Sequence, residues 1–108
     1  MKGVYKYSSP EQNGVYKYLE CSTAHLTQAD CEALDEHPEG IVCYPYEEGA
    51  WVYVGGPHTS KGGVNIDKIE KMLPSLAACM RKARTLGCTD IKFDRDGEEH
   101  DDLPTYEW

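Results

Sequence analysis

Between residues 20 and 60 the chain contains no lysine and no arginine, although eight of those positions are Asp or Glu. Phosphate contacts from Lys and Arg supply most of the affinity of nucleic-acid-binding proteins, so this stretch argues against direct nucleic-acid binding. No apolar run approaches the length of a membrane-spanning helix, and MKGVYKYSSP has no apolar core behind its lysine. Neither a membrane span nor a secretory leader is therefore expected. The cysteines Cys21, Cys31, Cys43, Cys79 and Cys88 are odd in number and include no C-x-x-C. Such a set points to reduced, mostly buried thiols in a cytoplasmic protein rather than to a disulfide framework.

Motifs for chemistry are also scarce. There is no G-x-S-x-G, and GGPHTSKGG lacks the spacing of a phosphate-binding loop. Aligning Gly97 with the sixth position of a calcium loop puts Lys92 first and Leu103 last, where carboxylates are required. Cys21, His25, Cys31 and His37 have the residue types of a zinc set, but their pairs are looser than usual and Cys31 falls within an expected helix. His58 and His100 are the histidines best placed for chemistry, without a partner that marks them as catalytic. No catalytic residue, metal or cofactor is assigned, and an enzyme is not expected.

What the chain does have is a core and a skewed charge. Its 108 residues, 40% hydrophobic with eight Tyr among the aromatics, suffice for one domain without metal or disulfide support. The net charge of −8 divides into +2 over residues 1–19, −8 over 20–60, +4 over 61–92 and −6 over 93–108. Basic partners are the natural counterpart of such a surface.

Local patterns give a succession of elements. GVYKY at 3–7 returns at 14–18 across a Pro/Asn/Gly connector, the pattern of a hairpin. Thr27-x-x-Asp30 opens a helix with Ala29, Ala33 and Leu34 on its apolar stripe and Gly40 beyond its end. Its polar face carries Asp30, Glu32, Asp35, Glu36 and Glu39, including like-charge i,i+4 pairs that cost roughly 0.2–0.5 kcal/mol each. IVCYPYEEGAWVYVGG reads as two strands around a Glu47-Glu48-Gly49 loop with Gly in the left-handed position. That loop pairs Tyr46 with Ala50 and Tyr44 with Val52, leaving Cys43, Pro45, Trp51 and Tyr53 on the other face. Apolar residues from Ile66 to Leu86 keep helical spacing to Gly87, with Pro74 opening a second, main helix after a short first one. Ile91 and Phe93, the Asp96-Gly97 turn and LPTYEW read as a terminal hairpin. These elements predict a single α+β domain, 1–108, with an antiparallel sheet built from hairpins and two helices on one face.

The segments STAHLTQAD, YPYEEGAWVYV, GCTDIKFDRDG and LPTYEW, in that order, resemble a family of small proteins carried by bacterial plasmids, integrative elements and phages. The resemblance covers residues 21–108 except the stretch GGPHTSKGGVNIDKIEK, leaves the 1–20 hairpin outside it as well, and carries over no catalytic residue. It implies a bacterial host cell and a setting near antirestriction and other anti-defence genes.

The leading expectation is thus an anti-CRISPR or antirestriction inhibitor, whose acidic, DNA-mimic-like face engages the basic nucleic-acid-binding surface of a CRISPR effector or restriction enzyme. Its candidate contacts are Asp30, Glu32, Asp35, Glu36 and Glu39 on the helix, and Glu47 and Glu48 at the hairpin tip. Asp94, Asp96, Glu98, Glu99, Asp101 and Asp102 near the end complete the acids, and Tyr44 and Tyr46 add aromatic contacts. The alternatives are an interaction module using an aromatic face around Tyr44, Tyr46, Trp51 and Tyr53, or a small hydrolase or metalloprotein.

Overall fold

A computed structural model describes residues 4–5, 16–55 and 64–108. In chain order the elements are β1 (Val4–Tyr5), β2 (Tyr16–Ser22), α1 (Gln28–Asp35), β3 (Cys43–Tyr46), β4 (Gly49–Tyr53), α2 (Ile66–Met72), α3 (Pro74–Thr85) and β5 (Asp90–Asp94). The sheet order is β1-β2-β5-β4-β3. Four strands form its body, and the two-residue β1 lies at one edge, where Tyr5 pairs with Tyr16 across the two GVYKY copies. The connector between those copies, and residues 56–63 with His58, lie outside the described residues.

The α+β class follows, with one difference in the sheet. β5 runs antiparallel to β4 but parallel to β2, so the sheet is mixed. Because β5 has a neighbour on each side, it has no free edge for LPTYEW, and that segment is not a strand. Residues 98–108 instead cross the end of β2: Ser22 N–H donates to Glu98 O at 2.8 Å and Tyr106 N–H to Ala24 O at 2.8 Å.

Alternation selects the core face. Leu19 and Cys21 on β2, Ile91 and Phe93 on β5, Ala50 and Val52 on β4 and Cys43 on β3 are buried together. α3 covers this face with Leu76, Ala77, Cys79, Met80 and Ala83. Complete burial of a side chain such as Phe93 stabilises the fold by about 1.5–3 kcal/mol.

The β3–β4 register differs by one residue from the expected one. Tyr46 pairs with Gly49 and Tyr44 with Trp51 around a two-residue Glu47-Glu48 connection. Cys43 therefore faces the core, where its thiol donates to Leu34 O at 3.4 Å, and Tyr44, Tyr46, Trp51 and Tyr53 share the opposite face. A one-residue slip exchanges the faces of a strand, and burial of Cys43 beside Val52 decides between them. Gly49 does not have a left-handed φ. It is small because a Cβ there would run into the Phe93 carbonyl of β5. Val42 O accepts from Tyr53 N–H at 2.9 Å, so the N–H groups of alternate residues 42, 44 and 46 face β4. The missing N–H of Pro45 consequently falls on the open side of this edge strand, where it blunts pairing with another chain.

α1 starts as its sequence predicts, with Thr27 Oγ1 accepting from Asp30 N–H at 3.1 Å. It is shorter than expected: Asp35 is its last residue, Glu36 caps it and His37 takes the left-handed φ of 53°. Glu39 is thus off the helix, which removes the Asp35/Glu39 helical repulsion. α2 and α3 divide at Leu73, with Pro74 in the first turn of α3. Gly87, at φ 79°, ends α3 while Cys88 N–H bonds to Ala83 O and Gly87 N–H to Arg84 O, a Schellman arrangement.

Candidate functional site

The three acidic segments meet at the end of the sheet where β2 and β5 finish. A groove of about 460 Å³ opens there, with Ser22, Thr23 and Ala24 as its base. α1 contributes Cys31 and Asp35, and the β3–β4 connection contributes Tyr46, Glu47, Glu48 and Gly49. Arg95 follows β5, and the tail adds Glu99, Tyr106 and Trp108. Among the described residues, none of the carboxylates of Asp35, Glu47, Glu48 and Glu99 is in an ion pair.

A buried histidine places the tail wall. His25 is 1% exposed, and its Nδ1 lies 2.8 Å from Pro104 O while His100 N–H donates to its Nε2 at 2.8 Å. An accepting Nε2 and a carbonyl opposite Nδ1 require the neutral ring with its proton on Nδ1. The His100 ring stacks on His25 at 5.7 Å and lies 2.8 Å from Glu20 O through Nε2. Farther along, Trp108 Nε1–H donates to Leu26 O at 3.0 Å. With both ring nitrogens of His25 committed to backbone, the sequence set Cys21, His25, Cys31 and His37 lacks a free imidazole at its centre, and no cluster of potential metal ligands occurs among the described residues.

Two groups of the groove hold their protons firmly. Burial, and then the charges of Asp35 and Glu32, push the Cys31 thiol up, so it stays protonated near neutrality. Tyr46 donates its phenol to Phe93 O at 2.6 Å and to Asp94 Oδ2 at 3.2 Å. Burial chiefly, with Asp94 beside it, pushes that phenol well above its ordinary value and keeps it a donor.

A family model for the C-terminal domain of DUF5983, a family of unknown function, matches residues 18–108. The chain belongs to this family. The DUF5983 region begins within β2 and contains every residue of the groove, while β1 lies outside it. No curated protein and no solved structure matches the chain.

Within the DUF5983 domain the candidate acids fall into three groups. Asp35, Glu47, Glu48 and Glu99 line the groove together with Tyr46. Glu32, Glu36, Glu39, Asp96, Glu98 and Asp101 are exposed elsewhere, Glu32 accepting from Gln28 Nε2 at 3.1 Å. Three have intrachain work instead. Asp30 is buried, where its Oδ2 accepts from Ser75 N–H and Leu76 N–H at the start of α3, so it does not belong to the polar face of α1. Asp94 folds the turn after β5 through Asp96 N–H at 2.9 Å, and Asp102 meets Lys82 Nζ at 2.8 Å. Tyr44, 67% exposed, is on the outer sheet face rather than in the groove.

Sequence reasoning did not assign Cys31, Arg95, Tyr106 or Trp108 to the site. Tyr106 and Trp108 belong to the LPTYEW segment expected as a hairpin strand with apolar anchors, yet Trp108 is 56% exposed and spends its N–H on a backbone carbonyl. The alternation of acids and aromatics in DDLPTYEW was the available signal, since a core strand would not end so densely charged. No helix among the described residues is long and apolar enough to cross a membrane.

Proposed function

We propose that this domain is a non-enzymatic binding module whose acidic groove docks on a basic protein surface. The carrying observation is the convergence of Asp35, Glu47, Glu48 and Glu99, from three separate chain segments, on one groove without ion pairs among the described residues. Carboxylates that outnumber the single Arg95 beside them focus a negative potential that steers basic partners and competes for sites that receive phosphates. The finer reading is a cytoplasmic anti-defence inhibitor of a bacterial mobile element, acting on the nucleic-acid-binding surface of a CRISPR effector or restriction enzyme. That setting is what the resemblance of the four sequence segments implies.

The test uses the full chain immobilised against purified CRISPR effectors and restriction enzymes. Binding should weaken steeply between low and high salt, compete with duplex DNA, and disappear when Glu47, Glu48 and Glu99 are each changed to Lys. Capture that persists through the triple reversal, or that duplex DNA leaves untouched, rules out the acidic face.

A second reading has its own observation. The β3–β4 register sets Tyr44, Tyr46, Trp51 and Tyr53 at alternate positions opposite Cys43 and Val52, with Tyr44 67% exposed. If that face is the interface, Tyr44→Ala abolishes binding and salt has little effect.

A further inference from the structure

We propose that the groove accepts an arginine side chain from the partner protein, its guanidinium held against the aromatic wall and paired with the carboxylates of Asp35 and Glu99. The proposal rests on the reading of the groove as the docking surface and names the group it recognises. Two independent features converge on a planar cation.

The first is a set of rings lining the groove, Trp108 and Tyr46 fixed through their own polar atoms and Tyr106 placed by its backbone. Trp108 is 56% exposed, yet its indole N–H is tied to Leu26 O. Tyr106 is anchored through its backbone N–H to Ala24 O, and Tyr46 through its phenol to Phe93 O. Rings held by their polar atoms offer contact area at little conformational cost, and an exposed indole face attracts a cation through its quadrupole. Core packing does not require Trp108 at such exposure.

The second is charge. Four carboxylates and the single Arg95 line the groove, leaving −3 with the Cys31 thiol neutral. That balance opposes any anion. Among cations, guanidinium is planar, weakly hydrated and able to bond a carboxylate through two N–H groups while stacking on a ring. Lysine's ammonium is a hydrated point charge that matches the carboxylates but not the rings. The volume, about 460 Å³, exceeds one side chain, so the neighbouring residues of an extended segment enter with it.

The experiment titrates the isotope-labelled full chain with blocked Gly-Ser-Arg-Ser-Gly and with its Lys counterpart, following the indole N–H signals of Trp108 and Trp51. The expected result is a shift of the Trp108 signal with the Arg peptide at a Kd roughly tenfold below that of the Lys peptide. Asp35→Asn and Glu99→Gln should each weaken the Arg peptide severalfold while the sheet amides of the free protein keep their positions, and Trp108→Ala, followed through the Arg95 and Glu99 backbone amides, should abolish the Arg preference. Equal Kd values for the two peptides overturn the arginine proposal and leave the acidic-face reading standing. Absence of any Trp108 shift overturns it too, with the acidic face then judged by the triple reversal. Shifts confined to Trp51 overturn both and favour the outer sheet face.

Discussion

Asp30, on the buried side of α1, accepts hydrogen bonds from Ser75 through both the backbone N–H at 2.9 Å and the hydroxyl at 2.5 Å. Leu73, the residue at the N-cap position of α3, offers no side-chain bond, so a carboxylate from another helix satisfies the orphan donors there. Negative charge at that end also suits the helix dipole. Asp30→Ala removes the shared acceptor of a buried network and is expected to cost about 2–4 kcal/mol in urea unfolding. Glu32→Ala and Glu36→Ala, at exposed positions on the same segment, should stay within about 0.5 kcal/mol. Equal costs for the three would contradict this division of the acids.

His25 joins the domain body to the tail. His25→Ala leaves His100 N–H and Pro104 O without their partner, at an expected cost of about 2–3 kcal/mol. The loss should be local as well as global: faster hydrogen exchange at the Tyr106 amide and a red-shifted Trp108 emission, before the sheet opens. A variant that unfolds with the tail amides as protected as in the wild type would show that His25 does not hold the tail.

Two glycines separate close approach from backbone conformation. At Gly40 a Cβ meets nothing within 4 Å, but φ is 87°, so Gly40→Ala should cost about 1 kcal/mol. At Gly49 the obstacle is backbone on the adjoining strand, which cannot rotate away. Gly49→Ala is expected to cost more than about 2 kcal/mol and to perturb the Phe93 and Asp94 amides. A Gly49→Ala protein as stable as Gly40→Ala would refute the close contact.

Asp90 supplies a pH dependence. Burial pushes its carboxyl above the ordinary 3.8, with the Thr89 hydroxyl bond partly opposing the shift. A raised folded-state value means that the native state holds the proton more firmly. The resulting stability is present below 3.8 and is lost as pH rises through the folded-state value. Asp90→Asn, which cannot charge, should therefore have a higher Tm than the wild type at pH 7, with the difference closing as pH falls toward 3.8. A Tm difference that is constant across that window would remove burial as the cause.

Several elements were legible because their signals act over a few residues. Thr27 and Asp30 mark the start of α1, Pro74 the start of α3, and Gly87 its end, each through groups within one helical turn. The acidity of the α1 face, the hairpin tip and the tail was equally plain. The β3–β4 register was not, because Glu47-Glu48-Gly49 fits two loop lengths locally and the choice is made by Cys43 packing near Leu34. LPTYEW resembled a strand for a similar reason: its pattern is adequate, but both sides of β5 are already paired.

The sequence by itself determined the α+β class, the helix boundaries set by caps and proline, the net charge, and the three segments that carry the acid. These depend on composition and on interactions between near neighbours. Only the tertiary structure decided which acids are available, burying Asp30 against Ser75, pairing Asp102 with Lys82, and bringing Asp35, Glu47, Glu48 and Glu99 to one groove. Those outcomes depend on contacts between residues tens of positions apart, and the parallel pairing of β2 with β5 that creates them leaves no mark in either strand alone.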